Sequence, residues 1–181
     1  MPTIDVSDLR PTIIPKSDQL NAEQLLGGSM TITVSGVSVS SSPEQPVTVH
    51  YDAENGRPFK PCKTMRKLLV FAWGPDGNEW AGRSMTVYND PSVKFGGDEV
   101  GGIRISHLSH IERDIEISLT ATRGKKALYR VHVLQTIESA TNLDALKDAF
   151  AAAYRAADAQ QKPAVKQRYE SRKAELQQPK E

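Results

Sequence analysis

Alternation of apolar and polar residues dominates the first two thirds of the chain and predicts a series of short β-strands. Apolar side chains occupy every second residue of 30–34 and then continue one residue out of phase at Val37 and Val39. A one-residue slip turns every side chain to the opposite face, so this change of parity predicts a β-bulge at Gly36. The first strand is therefore expected to be long and bent, as the closure of a small barrel requires.

Further alternating segments follow at short intervals. They cover 47–51, 85–88, 93–95, 100–108, 115–119 and 128–134, with turn residues between them. Asn55-Gly56 predicts a hairpin turn, and 58–61 predicts a short edge strand because its prolines cannot donate to a ladder. Strands at this spacing are typical of an all-β barrel or sandwich.

One helical pattern interrupts the strands between residues 63 and 74. Its apolar side chains recur at i, i+3, i+4, i+7 and i+8 and form a single stripe. They are Met65, Leu68, Leu69, Ala72 and Trp73. Thr64 is the predicted N-cap, and Gly74-Pro75 is the predicted end. The order of elements predicts a mainly β protein, an OB-like five-stranded barrel with an inserted helix and an extra C-terminal β-hairpin.

The two ends of the chain differ from this barrel pattern. Residues 1–20 contain three prolines and no periodicity, which predicts a flexible N-terminal arm before a barrel domain over 21–136. Two Ala-, Lys- and Gln-rich helical patterns then predict a helical C-terminal appendage over 137–181, suited to partner docking or self-association. Its candidate partner-binding residues are Phe150, Tyr154 and Tyr169.

Composition restricts the functions that the chain can have. A net charge of +1 over 181 residues means that nucleic-acid binding would need a local basic patch. A single cysteine, Cys62, excludes an intramolecular disulfide framework. Neither a signal-peptide core nor a membrane-spanning apolar run occurs in the sequence. We therefore expect a protein of the reducing cytoplasm.

A cluster of cations surrounds the start of the inserted helix. Lys60 and Lys63 precede its predicted start, and Arg66 and Lys67 lie in its predicted first turn. The helix macrodipole disfavours cations there by about 0.3–1 kcal/mol each, so stability alone would favour acidic residues. A phosphate-contacting patch explains the cluster. An ordinary solvated face that tolerates the cost is the alternative.

Aromatic residues alternate with cations in the strands around this helix. Basic grooves with aromatic platforms hold single-stranded nucleic acid, and stacking contributes about 1–3 kcal/mol per base. Packing in the core or at its rim is the alternative, and it is the preferred interpretation for Trp73. The candidate nucleic-acid contacts of this segment are Trp80, Arg83, Tyr88, Lys94, Phe95 and Arg104.

A basic turn precedes the last predicted strand. Its cations are Arg123, Lys125 and Lys126, and a hairpin tip of this kind can reach a backbone phosphate. A solvated turn is the alternative. The three residues are added to the candidate nucleic-acid contacts.

Signals for catalysis are weak. The i, i+3 spacing of His107 and His110 does not form a metal-binding face on a strand, and Cys62 has no histidine nearby in sequence. The Gly-Gly pairs at 96–97 and 101–102 do not form a phosphate loop, because no Gly-Lys-Ser/Thr follows them. We therefore expect no enzyme activity, no cofactor and no metal.

Four motifs resemble those of a group of small bacteriophage and prophage proteins. They are the cationic helix from Lys60 to Trp73, the strand WAGRSMTVY, the turn VKFGG and the strand GIRI. They match the patterns K-x-x-x-x-[KR], W-x-G-[KR]-x-[ILMV]-x-[LV]-Y, V-x-[FW]-G-G and G-I-R. Members of that group are OB-type single-stranded-DNA-binding or recombination-accessory proteins, so the resemblance, over about residues 24–134, implies that fold and activity. It implies DNA contacts at Lys63, Arg66, Lys67, Arg83, Lys94 and Arg104.

The sequence favours one function over two rivals. The leading prediction is non-catalytic, sequence-tolerant binding of single-stranded DNA in phage replication or recombination. The first rival is a phage protein-binding module that docks a recombinase, a nuclease or a host defence protein. Near-zero net charge favours this rival, because dedicated nucleic-acid binders are often basic. The second rival, an enzyme acting on nucleic acid, needs a carboxylate or histidine cluster that the sequence does not supply.

Overall fold

Eight strands and three α-helices lie in the described residues of this computed structural model, which are 17–52, 54–95, 98–122, 125–157 and 159–177. The strands are β1 (Met30–Val39), β2 (Val47–Tyr51), β3 (Ser84–Asp90), β4 (Lys94–Phe95), β5 (Asp98–Glu99), β6 (Gly102–Leu108), β7 (Ile115–Thr122) and β8 (Lys125–Val133). The helices are α1 (Lys63–Trp73), α2 (Leu143–Ala156) and α3 (Lys162–Gln177), and 3₁₀ turns cover Ala22–Leu25 and Gly77–Trp80. The chain divides into two units, one ending at His132 and the other beginning at Val133.

Six strands form one open, mixed sheet in the order β2-β1-β3-β6-β8-β7, and β4 pairs with β5 separately. The predicted mainly β class is confirmed, but the described sheet has two edges instead of closing into a five-stranded barrel. The predicted edge strand over 58–61 is reduced to an isolated bridge between Phe59 and Val49. Pro61, two residues after Phe59, lacks the N–H group that the next pair of ladder hydrogen bonds would use.

The bend predicted in the first strand is present. The pairing of β1 with β2 shifts register between Val34 and Gly36, which confirms the predicted bulge at Gly36. The predicted turn at 55–56 also forms, because Asn55 and Gly56 have φ values of 49° and 73°. Positive φ at both central residues is what a tight two-residue hairpin turn requires.

The apolar stripe of α1 packs into the core of the sheet. Met65, Leu68 and Leu69 are fully buried, and Trp73 is 3% exposed, as the helical spacing predicts. The helix begins at Lys63 with Cys62 as its N-cap, so the prediction of Thr64 as the cap is wrong. Lys63 and Arg66 therefore occupy the first turn and Lys67 begins the second. Gly74 ends the helix with a φ of 90°, as predicted.

The segment before the first 3₁₀ turn is packed against the domain. Leu20 is buried, and its N–H donates to the carbonyl of Pro58 at 3.0 Å. Asp18 pairs with Lys60 at 2.7 Å. The packed domain therefore begins before residue 21. Residues 1–16 of the predicted arm lie outside the described residues.

The second unit has its own apolar core, formed chiefly by Ile137, Leu146 and Val165. Asn142 caps α2 as predicted, because its side chain accepts a hydrogen bond from the N–H of Ala145 at 2.8 Å. Pro163 lies in the first turn of α3, where the missing N–H would have no partner in the helix. The two predicted helices are thus present.

Candidate nucleic-acid interface

The solvent face of α1 carries the cations that the sequence singles out. Lys63, Arg66 and Lys67 lie opposite the buried stripe; Lys63 and Lys67 are exposed and Arg66 is half-buried. The same face continues into Val70 and Phe71, whose side chains are 45% and 63% exposed. Adjacent large apolar side chains on a solvated face mark a candidate interaction surface. Phe71 is not among the predicted contacts, although its i+4 spacing from Lys67 places it on the cationic side of the helix.

An open groove of about 490 Å³ runs along this face. We call it the α1 groove, and it is lined by Lys63, Arg66, Lys67, Val70, Phe71 and Ile117. Ile117 comes from β7, so the helix and an edge strand form the groove together. The aliphatic stems of the cations add to an apolar lining while their charged groups reach solvent. This arrangement suits a ligand that has both a flat apolar part and a negative charge.

The positive charge of the α1 groove is little compensated. Within the described part of the chain, the side chains of Lys63 and Lys67 make no hydrogen bond or ion pair. Arg66 donates from Nη2 to the carbonyl of Glu44 at 3.2 Å, while its Nε is buried without a partner among the described residues. No acidic residue occurs in α1, and no side chain caps its start. The cost of cations at a helix N-terminus is therefore not recovered within the helix.

A second group of predicted cations lies at a polar cleft of about 480 Å³, whose lining includes Lys60, Cys62 and Lys94. Lys60 is paired with Asp18. Arg104 is close to the cleft, with Nη1 3.7 Å from Cys62 Sγ and Nε 3.8 Å from a carboxylate oxygen of Asp90. Acidic partners thus offset the charges of Lys60 and Arg104, which makes this cleft a weaker anion site than the α1 groove.

Trp80 is buried and does not offer a face to a nucleic-acid base. Its side chain is 3% exposed and stands edge-on to Trp73, with ring centroids 5.9 Å apart. Its Nε1 donates to the carbonyl of Gly74 at 3.1 Å. The prediction of Trp80 as a stacking residue is wrong, because the 3₁₀ turn Gly77–Trp80 folds the ring back onto the end of α1.

Arg83 links the end of α1 to the 3₁₀ turn that contains Trp80. Its Nη1 donates to the carbonyl of Trp73 at 3.0 Å, and its guanidinium lies 5.9 Å from the centre of the Trp73 ring. Glu79 is 3.9 Å from Nη2. Arg83 therefore has a structural role that accounts for its position, and its predicted contact with DNA stays a prediction.

Tyr88 lies on β3 opposite Arg104 of β6 and is half-buried. Its neighbour Tyr129 donates from its hydroxyl to the carbonyl of Ile105 at 2.6 Å. Burial, and then the proximity of Tyr88, raises the pKa of Tyr129. Tyr129 is therefore a neutral donor that links β8 to β6. The predicted stacking role of Tyr88 is not tested by this geometry.

The basic turn is only partly described. Lys126 is exposed on β8. Arg123 lies outside the described residues, and so do the side chains of Lys125 and Phe95. The predictions made for those three residues therefore stay open.

The aromatic residues of the second unit mainly contact one another. The ring centroid of Phe150 is 5.3 Å from that of Tyr154 and 4.5 Å from that of Tyr169, which joins α2 to α3. Lys162 and Lys166 lie over the Tyr154 ring, at 5.2 and 5.6 Å from its centre. These contacts explain the three aromatic residues as part of the helix packing. Their predicted role in partner binding remains untested.

No family model, curated protein or solved structure matches this chain. Among the helices of the described residues, none has the length and apolar character needed to cross a membrane. The described residues also contain no group of three or more His, Cys, Asp or Glu side chains that could hold a metal ion.

Proposed function

We propose that the protein binds single-stranded DNA without catalysis and that the α1 groove is the central contact. The observation that carries this proposal is Phe71, which is 63% exposed on the helix face that also presents Lys63 and Lys67. An exposed aromatic ring stacks on an unpaired base and contributes about 1–3 kcal/mol, while the cations meet the phosphates. A contribution to stability does not explain why these features occur together. Cations at a helix N-terminus lower the stability of the fold, and an exposed aromatic ring leaves it unchanged.

The dimensions of the groove fit a short length of strand. Lys63 and Phe71 are eight residues apart on α1, which corresponds to about 12 Å along the helix axis. This is about three nucleotide steps at the spacing of one strand of B-DNA. Duplex DNA keeps the faces of its bases stacked on one another, so a partner that stacks on Phe71 has to be unpaired. Stacking on Phe71 and contacts between the cations and phosphates do not depend on the identity of the base, which favours sequence-tolerant binding.

The order of the elements supports an OB-type architecture for the first unit. β1, β2 and the Phe59 bridge are followed by α1, and then by β3 and β6, which is the order of a barrel with a helix inserted after its third strand. The contact between Arg104 and Cys62 brings the segment after Phe59 close to β6, where such a barrel would close. The setting of phage replication or recombination rests on the motif resemblance alone.

Replacing Phe71 with alanine is expected to weaken the binding of short oligo-dT by about 5- to 150-fold, the equivalent of one stacked base. The thermal unfolding midpoint should change little, because the Phe71 side chain is mostly in solvent. Fluorescence anisotropy of a labelled oligonucleotide measures the first quantity, and circular dichroism measures the second.

Leu26 provides the matched control for this experiment. Its side chain is 64% exposed, but it is outside the α1 groove. Leu26→Ala should leave the affinity for oligo-dT unchanged. Equal affinities of the parent and Phe71→Ala would remove Phe71 from the interface, and a parent chain that binds no oligonucleotide would overturn the proposed function.

Docking of another protein is the second candidate function. The apolar lining of the α1 groove favours it, because an acidic peptide with one large apolar side chain would match the same surface. The second unit, with its separate core, is the other candidate docking surface. A partner that competes with oligo-dT and loses affinity in Phe71→Ala would bind the groove, whereas one lost only when the chain is shortened to residue 136 would bind the helices.

A further inference from the structure

A pair of histidines on neighbouring strands forms a feature that the proposed function does not use. His107 lies on β6 and His132 on β8, and these strands are adjacent in the sheet. The centroids of their imidazole rings are 5.4 Å apart, and the ring planes are tilted by 44°. His132 follows His107 by 25 positions, so the spacing along the sequence gives no sign of the pairing. None of the residues involved lines the α1 groove.

The hydrogen bonds of each ring select the tautomer of that ring. His132 Nδ1 is 2.7 Å from a carboxylate oxygen of Asp114. An ionised carboxylate only accepts hydrogen bonds, so His132 Nδ1 carries the hydrogen. In a neutral imidazole the other nitrogen, Nε2, then has a free lone pair. A carboxylate that holds a histidine in this way is the usual outer partner of a metal-binding imidazole.

The second ring is oriented in the same sense by Ser106. The Ser106 hydroxyl donates to the carbonyl of Thr86 at 3.4 Å, which leaves its oxygen as an acceptor. His107 Nδ1 is 2.9 Å from that oxygen, and the proposed site uses the tautomer in which Nδ1 is the donor. In that tautomer His107 Nε2 also has a free lone pair. Both histidines are fixed through Nδ1 and can bind a ligand through Nε2.

We propose that His107 and His132 form a two-histidine binding site for a borderline divalent transition-metal ion, with Zn²⁺ as its representative. A zinc ion 2.0–2.1 Å from each Nε2 would be about 3.2 Å from each ring centroid. Two centroids 5.4 Å apart then subtend an angle of about 115° at the metal. That angle is close to the tetrahedral value, so the ring separation is compatible with one zinc ion bound to both rings when each ring directs its Nε2 at the metal.

The site has two protein ligands, and water or an exogenous anion would complete the coordination shell. This number agrees with the absence, among the described residues, of a cluster of three metal-binding side chains. Imidazole prefers zinc, copper and nickel, whereas Mg²⁺ prefers oxygen ligands and keeps its waters. The site should therefore discriminate between Zn²⁺ and Mg²⁺. His110 is not part of it, because its Nδ1 is engaged with the Ser109 hydroxyl at 2.8 Å.

Isothermal titration of the full chain with ZnCl₂ tests this site, with Cys62→Ser introduced throughout so that the single thiol cannot contribute. The expected result is one Zn²⁺ per chain and no binding of MgCl₂. His107→Gln and His132→Gln should each weaken zinc binding more than tenfold. Asp114→Asn should weaken it about 10-fold, because the outer partner of the imidazole is lost.

The other two histidines of the chain, His50 and His110, provide matched controls. His50→Gln and His110→Gln should bind Zn²⁺ as the parent does. His132 is half-exposed, so its replacement should not unfold the chain, and circular dichroism verifies this. The proposal is overturned by a parent that binds no Zn²⁺, by full affinity in both His107→Gln and His132→Gln, or by an equal loss in the control variants. None of these outcomes depends on whether the protein binds DNA.

Discussion

Changing Lys63 and Lys67 together to glutamate is expected to weaken the binding of short oligo-dT about 25-fold at 0.1 M salt. Each phosphate contact of a single strand contributes about 0.7 to the slope of log K against log salt concentration. Two lost contacts reduce that slope by about 1.4. Since 0.1 M salt is one decade below 1 M, the binding constant at 0.1 M should then fall by a factor of about 25. The salt dependence should therefore flatten at the same time as the affinity falls.

The same double substitution is not expected to destabilise the protein. Both side chains are exposed and make no described hydrogen bond or ion pair. Glutamate at position 63, in the first turn of α1, interacts favourably with the helix macrodipole, by about 0.3–1 kcal/mol. The free energy of unfolding should stay level or rise slightly while the affinity for DNA falls. Loss of binding then cannot be attributed to loss of fold.

Anisotropy titrations of labelled oligo-dT at several NaCl concentrations measure both the affinity and the slope. A matched control carries Lys147→Glu and Lys173→Glu, which make the same change in net charge on α2 and α3. Arg66 is left intact because it donates to the carbonyl of Glu44 and its replacement would alter a loop. If the control and the α1 variant lose affinity equally, the effect comes from net charge and not from the groove.

The local pattern of the sequence was sufficient to predict α1 and the bend in β1. The apolar spacing from Met65 to Trp73 places five side chains on one face of a helix, and the structure buries Met65, Leu68, Leu69 and Trp73 and partly buries Ala72. The parity change around Gly36 likewise has one economical solution, a bulge. In both cases residues close in sequence determine the outcome, so no knowledge of tertiary contacts was needed.

The closure of the sheet and the burial of Trp80 depend on contacts between distant segments. The barrel predicted from the order of strands needs a full strand around Phe59, but the prolines beside it leave a single bridge. Trp80 lies in a polar stretch beside Glu79, and only the packing of its ring edge against Trp73 shows that it is buried. Hydrophobic periodicity carries no information about either contact.

The candidate sites also combine features that local sequence predicts with features that depend on contacts between distant segments. The macrodipole argument singles out the cations at the start of α1. Lys63, Arg66 and Lys67 line one groove in the structure, whereas Lys60 lies at the polar cleft. Phe71 was not predicted, because it lies within the apolar run Leu68-Leu69-Val70-Phe71 and its exposure depends on how the helix packs. The histidine pair could not be found from sequence, because it depends on β6 and β8 being neighbours although β7 comes between them in the chain.

Replacing Trp80 with alanine is expected to destabilise the first unit by about 3–5 kcal/mol. The substitution removes a fully packed ring, its edge contact with Trp73 and the donor to the carbonyl of Gly74. For a chain of this size the unfolding midpoint should fall by about 10 °C or more. Trp80→Phe keeps most of the buried area and should lose less, about 1–2 kcal/mol, chiefly for the missing hydrogen bond.

Urea unfolding followed by circular dichroism, together with oligo-dT binding under native conditions, separates a core role from a stacking role. Replacement of a core residue lowers the free energy of unfolding and leaves the affinity of the folded fraction for oligo-dT intact. Phe71→Ala should instead lower the affinity and leave the free energy of unfolding unchanged. An unchanged unfolding curve for Trp80→Ala, with weaker DNA binding, would restore Trp80 to the interface. The two aromatic residues are nine positions apart in the sequence, and this comparison assigns one to the fold and the other to the ligand.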